Sequence, residues 1–163
     1  MARQATLLLL MLAGIPFPVM AQPPGTPAGA AELTVGYAGF VDDATIDHAV
    51  FGGAVRFPLS PRVSIGPELQ YMIGPGEDRD LILTGNLTLD LLPPHQRATP
   101  FFVIGGGLFR HADMFGSSTE GAFTAGGGVR SWLTERVYVA AELRVGWELH
   151  YRLTGTVGVA LSR

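Results

Sequence analysis

The chain has 163 residues, 22 of them glycine, with 11 basic and 14 acidic side chains, a formal charge of −3 and no cysteine. That is about one domain's worth of chain; it can gain no disulfides, and its slight acidity gives no support to nucleic-acid binding. All 11 basic residues are arginine, although a soluble surface normally carries strongly hydrated lysines.

Residues 1–21, MARQATLLLLMLAGIPFPVMA, have the parts of a secretory signal peptide. Arg3 supplies the positive region, Leu7 to Ile15 the apolar stretch, and Val19-Met20-Ala21 the cleavage site. Pro16 and Pro18 oppose a retained membrane helix. Cleavage is expected after Ala21, followed by a flexible Pro/Gly/Ala linker over residues 22–30 and one domain over 31–163. No later stretch approaches the ~20 apolar residues of a membrane helix.

Eight alternating runs follow in order: Glu32–Val41, Ala49–Phe57, Val63–Ile73, Leu81–Leu91, Phe101–Arg110, Gly121–Ser131, Val137–Trp147 and Tyr151–Leu161. Each reads as a strand with two unlike faces. Turn-forming connectors separate them: DDATID, PLSPR, GPGEDRD, PPHQRAT, HADMFGSSTE, WLTER and ELH. Runs of this length fit the ~9–11 residues of a tilted membrane strand.

Within these runs the odd-numbered positions form an apolar set without charge, including Leu33, Val35, Phe51, Leu83, Leu87, Phe101, Val103, Leu143 and Val157. Even-numbered positions carry Arg56, Glu68, Asp90, Arg110, Arg130, Glu142, Arg144, Glu148 and Arg152, separated by small or polar residues. A soluble lipocalin-like barrel in the periplasm would turn the charges outward; a membrane barrel would turn them inward. Three features favour the second. The charged face lacks lysine, it is mostly Gly, Ala and Thr between its charges, and those charges are of both signs, as buried charges require. These nine residues are therefore expected to form a charge network in the lumen, with Glu148 and Arg152 close enough to pair across the last turn.

The segment from Gly52 to Gln70 aligns without gaps with that from Gly126 to Arg144, matching Arg56 to Arg130, Arg62 to Arg136 and Glu68 to Glu142. A duplicated four-strand half would explain the match.

The segments PFFVIGGGLFR, TAGGGVRSWL and VYVAAELRVGWE resemble strands of the outer-membrane β-barrel domain family, the small eight-stranded barrels of the OmpA/OmpX type. The resemblance covers essentially all of residues 31–163. It implies an all-β, eight-stranded, antiparallel up-and-down transmembrane barrel in the outer membrane. Both termini would be periplasmic, and the barrel-assembly machinery would insert the chain as a monomer among outer-membrane lipids. DDATID, GPGEDRD, HADMFGSSTE and ELH would then be external. The ending Val-Ala-Leu-Ser-Arg163 departs from the terminal Phe or Trp that this machinery commonly reads, which implies less efficient assembly. No peptidoglycan-binding segment follows the barrel, so wall anchoring of the OmpA kind is not expected.

Chemical motifs are sparse. Gly105–Gly107 and Gly126–Gly128 lie within strands, where they relieve crowding in a curved sheet; a phosphate cradle would need a glycine loop opening a helix. His48, His111 and His150 fall near one rim and His111-Ala-Asp113 offers two ligands, but no spacing matches a known metal site. Solvated loop histidines are expected, with no metal or cofactor. His111, Asp113, Ser117 and Ser118 share one connector, yet nothing fixes a base beside a nucleophile. A structural or surface-interaction protein with a plugged polar lumen and no enzymatic activity is the favoured reading. A lipid-modifying enzyme or a narrow pore is the alternative.

Overall fold

The computed structural model describes residues 28–41, 45–93 and 96–161, with the side chains of Thr45 and Glu148 left out. The signal peptide, its cleavage site, most of the linker, His95 and Arg163 lie outside the described residues. The strands are β1 (Gly29–Val41), β2 (Thr45–Pro58), β3 (Val63–Ile73), β4 (Arg79–Asp90), β5 (Ala98–Asp113), β6 (Gly116–Trp132), β7 (Val137–Gly146) and β8 (His150–Leu161). Each pairs antiparallel with its sequence neighbours, and β1 closes on β8. Closure leaves no open sheet edge around the barrel wall; the β2–β3 ladder is interrupted at Val55 and Arg56, beside Pro67, and Gly116–Phe123 of β6 pairs with β5 alone.

The even positions point inward on seven of the strands. In β1, Glu32, Thr34 and Ala38 are buried while Leu33 and Val35 are 75% and 59% exposed. The outer face is apolar around the barrel, with Leu83, Leu108, Leu143 and Val157 all exposed.

β5 corrects the expected parity. Opposite residues of an antiparallel ladder share a face, and Asp90 of β4 lies opposite Phe101, an even position against an odd one. Phe101, Val103 and Phe109 therefore point inward and are 2%, 1% and 3% exposed, while Phe102, Ile104 and Leu108 point out. Arg110 moves with them: it lies exposed on the outer face and does not join the lumen charges. The run Phe101-Phe-Val-Ile104 is apolar on both faces and Gly105–Gly107 is silent, so alternation carries no phase there.

The duplicated segment is equivalent in register. One even offset carries the pair Ala54↔Glu68 of β2 and β3 onto Gly128↔Glu142 of β6 and β7. The turns correspond as well. Ser60 Oγ accepts the Val63 amide at 3.1 Å, and Thr134 Oγ1 accepts the Val137 amide at 3.0 Å. Phe101 sits opposite Gly128 as Glu32 sits opposite Ala54, so an odd offset relates β1 to β5 and flips the parity.

HADMFGSSTE is not a loop. β5 and β6 stay paired through His111↔Ser118 to Asp113↔Gly116, and only Met114 and Phe115 turn. Asp113 Oδ1 accepts the amides of Phe115 (2.8 Å) and Gly116 (3.0 Å), a local side-chain turn. Gly116 takes a φ of 149°, which an L side chain rarely adopts.

Candidate functional site

The lumen is built in layers. Nearest the end that carries Gly29 and Leu161, Arg56 Nε donates to Glu32 Oε1 at 2.7 Å and its Nη1 to Thr88 Oγ1 at 2.8 Å. The Tyr138 hydroxyl donates to the same Glu32 oxygen. Arg130 Nη1 reaches both oxygens of Asp90 at 3.2 Å. Its guanidinium lies over the rings of Phe101 (5.2 Å) and Tyr138 (5.1 Å), where ring faces favour a cation.

The next layer centres on Glu68. Its Oε2 accepts from Arg144 Nη2 at 2.7 Å and Asn86 Nδ2 at 2.9 Å, and its Oε1 accepts from Arg152 Nη2 at 2.5 Å. Arg144 also donates to Glu142 Oε1 (2.5 Å) and Oε2 (3.2 Å), and to Asn86 Oδ1 (3.2 Å). Arg144 and Arg152 are 2% and 1% exposed. In the closed strand order β3 and β7 stand on opposite walls, so the Arg144–Glu68 pair crosses the lumen. Gly126 gives Arg144 its room: a Cβ there would lie 2.9 Å from Arg144 Cγ and 2.1 Å from the Leu143 carbonyl oxygen.

Beyond this layer comes an apolar one of Ala38, Phe40, Val50, Met72, Ile82, Phe109 and Ala122. Phe40 and Phe109 face each other at 5.9 Å. The sequence predicts only small or polar residues between the lumen charges, and this apolar layer corrects that expectation. Above it, at the mouth opposite the chain ends, His48, Asp78, Asp80 and His111 converge.

Of the nine residues expected in the lumen, Arg56, Glu68, Asp90, Arg130, Glu142, Arg144 and Arg152 face inward and are brought together in these layers. Arg110 is not. Glu148 lies in the single 3-10 turn Trp147–Leu149 and its side chain lies outside the described ones. Arg152 turns to Glu68, not toward that turn. Glu32 and Tyr138 were missed, although their even numbers place both on the charged face. Asp80 and His48 were missed as lumen residues because they stand at strand ends that read as loops. Histidines expected in water are buried: His48 and His150 are 3% and 2% exposed. His111 Nδ1 engages Asp80 at 2.7 Å, and among the described residues no serine hydroxyl bonds to it, so Ser117 and Ser118 do not complete a triad.

No family model matches the chain, and no curated relative matches it. Solved structures do. Neisserial surface protein A superposes with a TM-score of 0.74 at 12% identity, covering 85% of this chain and all of that one. The N-terminal β-barrel domain of Pseudomonas aeruginosa OprF follows with 0.60 at 12% identity, covering 82% and 98%. The fold is that of the small outer-membrane barrels. A set of de novo designed transmembrane β-barrels shares it, at a TM-score of 0.51 and 16% identity, covering 83% of this chain and 98% of that one. For a barrel of this kind the apolar outer face and the paired inward charges are the expected arrangement.

Proposed function

We propose that this protein is an integral outer-membrane barrel whose own side chains close its lumen, exported by its signal peptide and inserted as a monomer by the barrel-assembly machinery. Its role is structural or interactional, with β5 and β6 rising as the longest hairpin at the cell surface. The observation that carries this reading is the Arg144–Glu68–Arg152 bridge between facing walls inside a barrel whose outside is apolar. An eight-stranded barrel is just wide enough for side chains to fill, and here they interlock. Lipid suits the outer face because the strands pair with their neighbours all the way round, so no open sheet edge faces hydrocarbon. The alternative of a narrow pore requires that network to part.

The test combines heat-modifiable gel mobility of the membrane fraction with single-channel recording after reconstitution. The proposal expects a boiled-versus-unboiled shift in pelleted protein and no stepwise conductance. Soluble protein without a shift would reject the membrane reading, and steady conductance steps would reject the closed lumen.

A further inference from the structure

The cluster at the outer mouth has the chemistry of a cation site. His48 Nε2 lies 3.0 Å from Asp78 Oδ2 and 3.1 Å from Asp80 Oδ2. Together the three residues present ligand atoms all within 4.8 Å of one another. Metal–ligand bonds of ~2.0–2.1 Å give neighbouring ligands of one shell a separation of about 2.9 Å at octahedral angles and about 3.3 Å at tetrahedral ones. The two spacings from His48 to the carboxylates fall in that interval.

Three independent features point the same way. First, His48 Nδ1 faces the Ile46 carbonyl at 3.3 Å. A carbonyl only accepts, so Nδ1 is the donating nitrogen, and Nε2 is the nitrogen turned to the two carboxylates. An imidazole whose other nitrogen donates to a backbone carbonyl is the usual posture of a metal ligand. Second, His111 Nδ1 donates to Asp80 Oδ1 at 2.7 Å, which orients the other oxygen of Asp80 toward His48, as an outer-shell partner orients a ligating carboxylate. Third, Gly74 leaves the space open: a Cβ there would stand 2.5 Å from both His48 Nε2 and Asp78 Oδ2.

No arginine neutralises the cluster. Arg79 is adjacent in sequence, but its Nη1 donates to the backbone carbonyls of Gly74 and Asp78. Among the described residues no guanidinium lies within ion-pair distance of the carboxylates of Asp78 or Asp80. Asp80 and His48 are each almost wholly buried, whereas Asp78 and His111 are partly exposed toward the mouth.

We propose that His48, Asp78 and Asp80 bind one first-row divalent transition ion at the outer mouth, with His111 positioning Asp80 and water completing the shell. One imidazole with two carboxylates suits Zn2+, Mn2+ or Co2+ better than Ca2+, which takes six to eight oxygens. The ion would tie β2, β4 and the β3–β4 connection together above the apolar layer.

The experiment uses the refolded chain without a histidine tag, stripped with chelator and titrated with Zn2+ by calorimetry and with Co2+ by visible absorption. The result expected is one ion per barrel and a Co2+ spectrum of mixed nitrogen and oxygen coordination. Zn2+ should also raise the unfolding midpoint reversibly, since it binds only the folded chain. Gly74→Ala, which keeps every ligand, and Asp78→Asn should each weaken binding at least tenfold. His150→Gln, a buried histidine outside the cluster, should leave it unchanged. No saturable binding to the folded barrel, or equal binding by Gly74→Ala and Asp78→Asn, would overturn the proposal; so would Ca2+ displacing Zn2+ at equal concentration.

Discussion

Glu68→Gln is the substitution with the largest expected cost among the lumen carboxylates. Glu68 holds two buried guanidinium groups. Arg152 depends on it entirely, because its Nε and Nη1 have no partner and its one described acceptor is Glu68 Oε1. Breaking a buried ion pair from one side costs about 3–5 kcal/mol, since it leaves the other charge buried and uncompensated. Arg144 loses less: it keeps both oxygens of Glu142 and the Asn86 carbonyl. Its share is one charge-assisted bond, about 1.5–3 kcal/mol, partly retained by the glutamine carbonyl. Glu68→Gln should therefore lose about 5 kcal/mol. Glu142→Gln should lose about 1.5–3 kcal/mol, because Arg144 still reaches Glu68. Adding Arg152→Met to Glu68→Gln should recover much of the loss, since it removes the stranded charge along with its partner. Equilibrium urea unfolding in lipid vesicles, followed by tryptophan fluorescence and by heat-modifiable mobility, measures all four proteins. A loss of under about 1 kcal/mol for Glu68→Gln would refute the reasoning, because exposed pairs contribute only that much and water would then be reaching the guanidinium groups.

Two further outcomes follow from the packing. Gly128→Val should destabilise by about 1–3 kcal/mol, the usual cost of overpacking, because a Cβ there meets the Ala141 carbonyl at 2.2 Å and the Phe101 ring at 2.8 Å. Gly106→Ala, on the outer face with its nearest neighbour 3.8 Å from the new Cβ, should be tolerated in the same urea assay. At the mouth, Zn2+ should raise the unfolding midpoint of the parent barrel and of His150→Gln, and should raise that of Gly74→Ala less at the same concentration.

The strands and the direction of most side chains were legible because a two-faced strand writes its orientation as alternation. Val137 to Gly146 shows this plainly, with Glu142 and Arg144 inward and Leu143 and Val145 outward. β5 was not legible. Its residues are apolar on both faces or glycine, so register alone decides its phase, and the odd offset between Glu32 and Phe101 appears only once strands are paired. The long β5–β6 hairpin was hidden for another reason: above the apolar belt both faces meet water, so His111 to Glu120 carries no hydrophobic period although the ladder continues. Glu32 was readable from its even number and was overlooked. The apolar lumen layer left a trace in Val50, Met72 and Ile82, even-numbered residues that crowd the outer ends of their runs. The cluster of His48, Asp78 and Asp80 left little beyond His48 at the rim, because its side chains come from β2, β4 and the connection before β4, which strand pairing brings together.

The chain has no cysteine, so single-cysteine variants carrying a fluorescent label can be compared cleanly in vesicles of ordinary and brominated lipid. Leu153→Cys on β8, and Phe102→Cys and Ile104→Cys on β5, should be quenched by bromine. Thr154→Cys and Val103→Cys should not, because those positions are 4% and 1% exposed and face the lumen. Quenching at Thr154 and Val103 with none at Leu153 and Phe102 would contradict a membrane barrel that turns its apolar face to lipid and its charges inward.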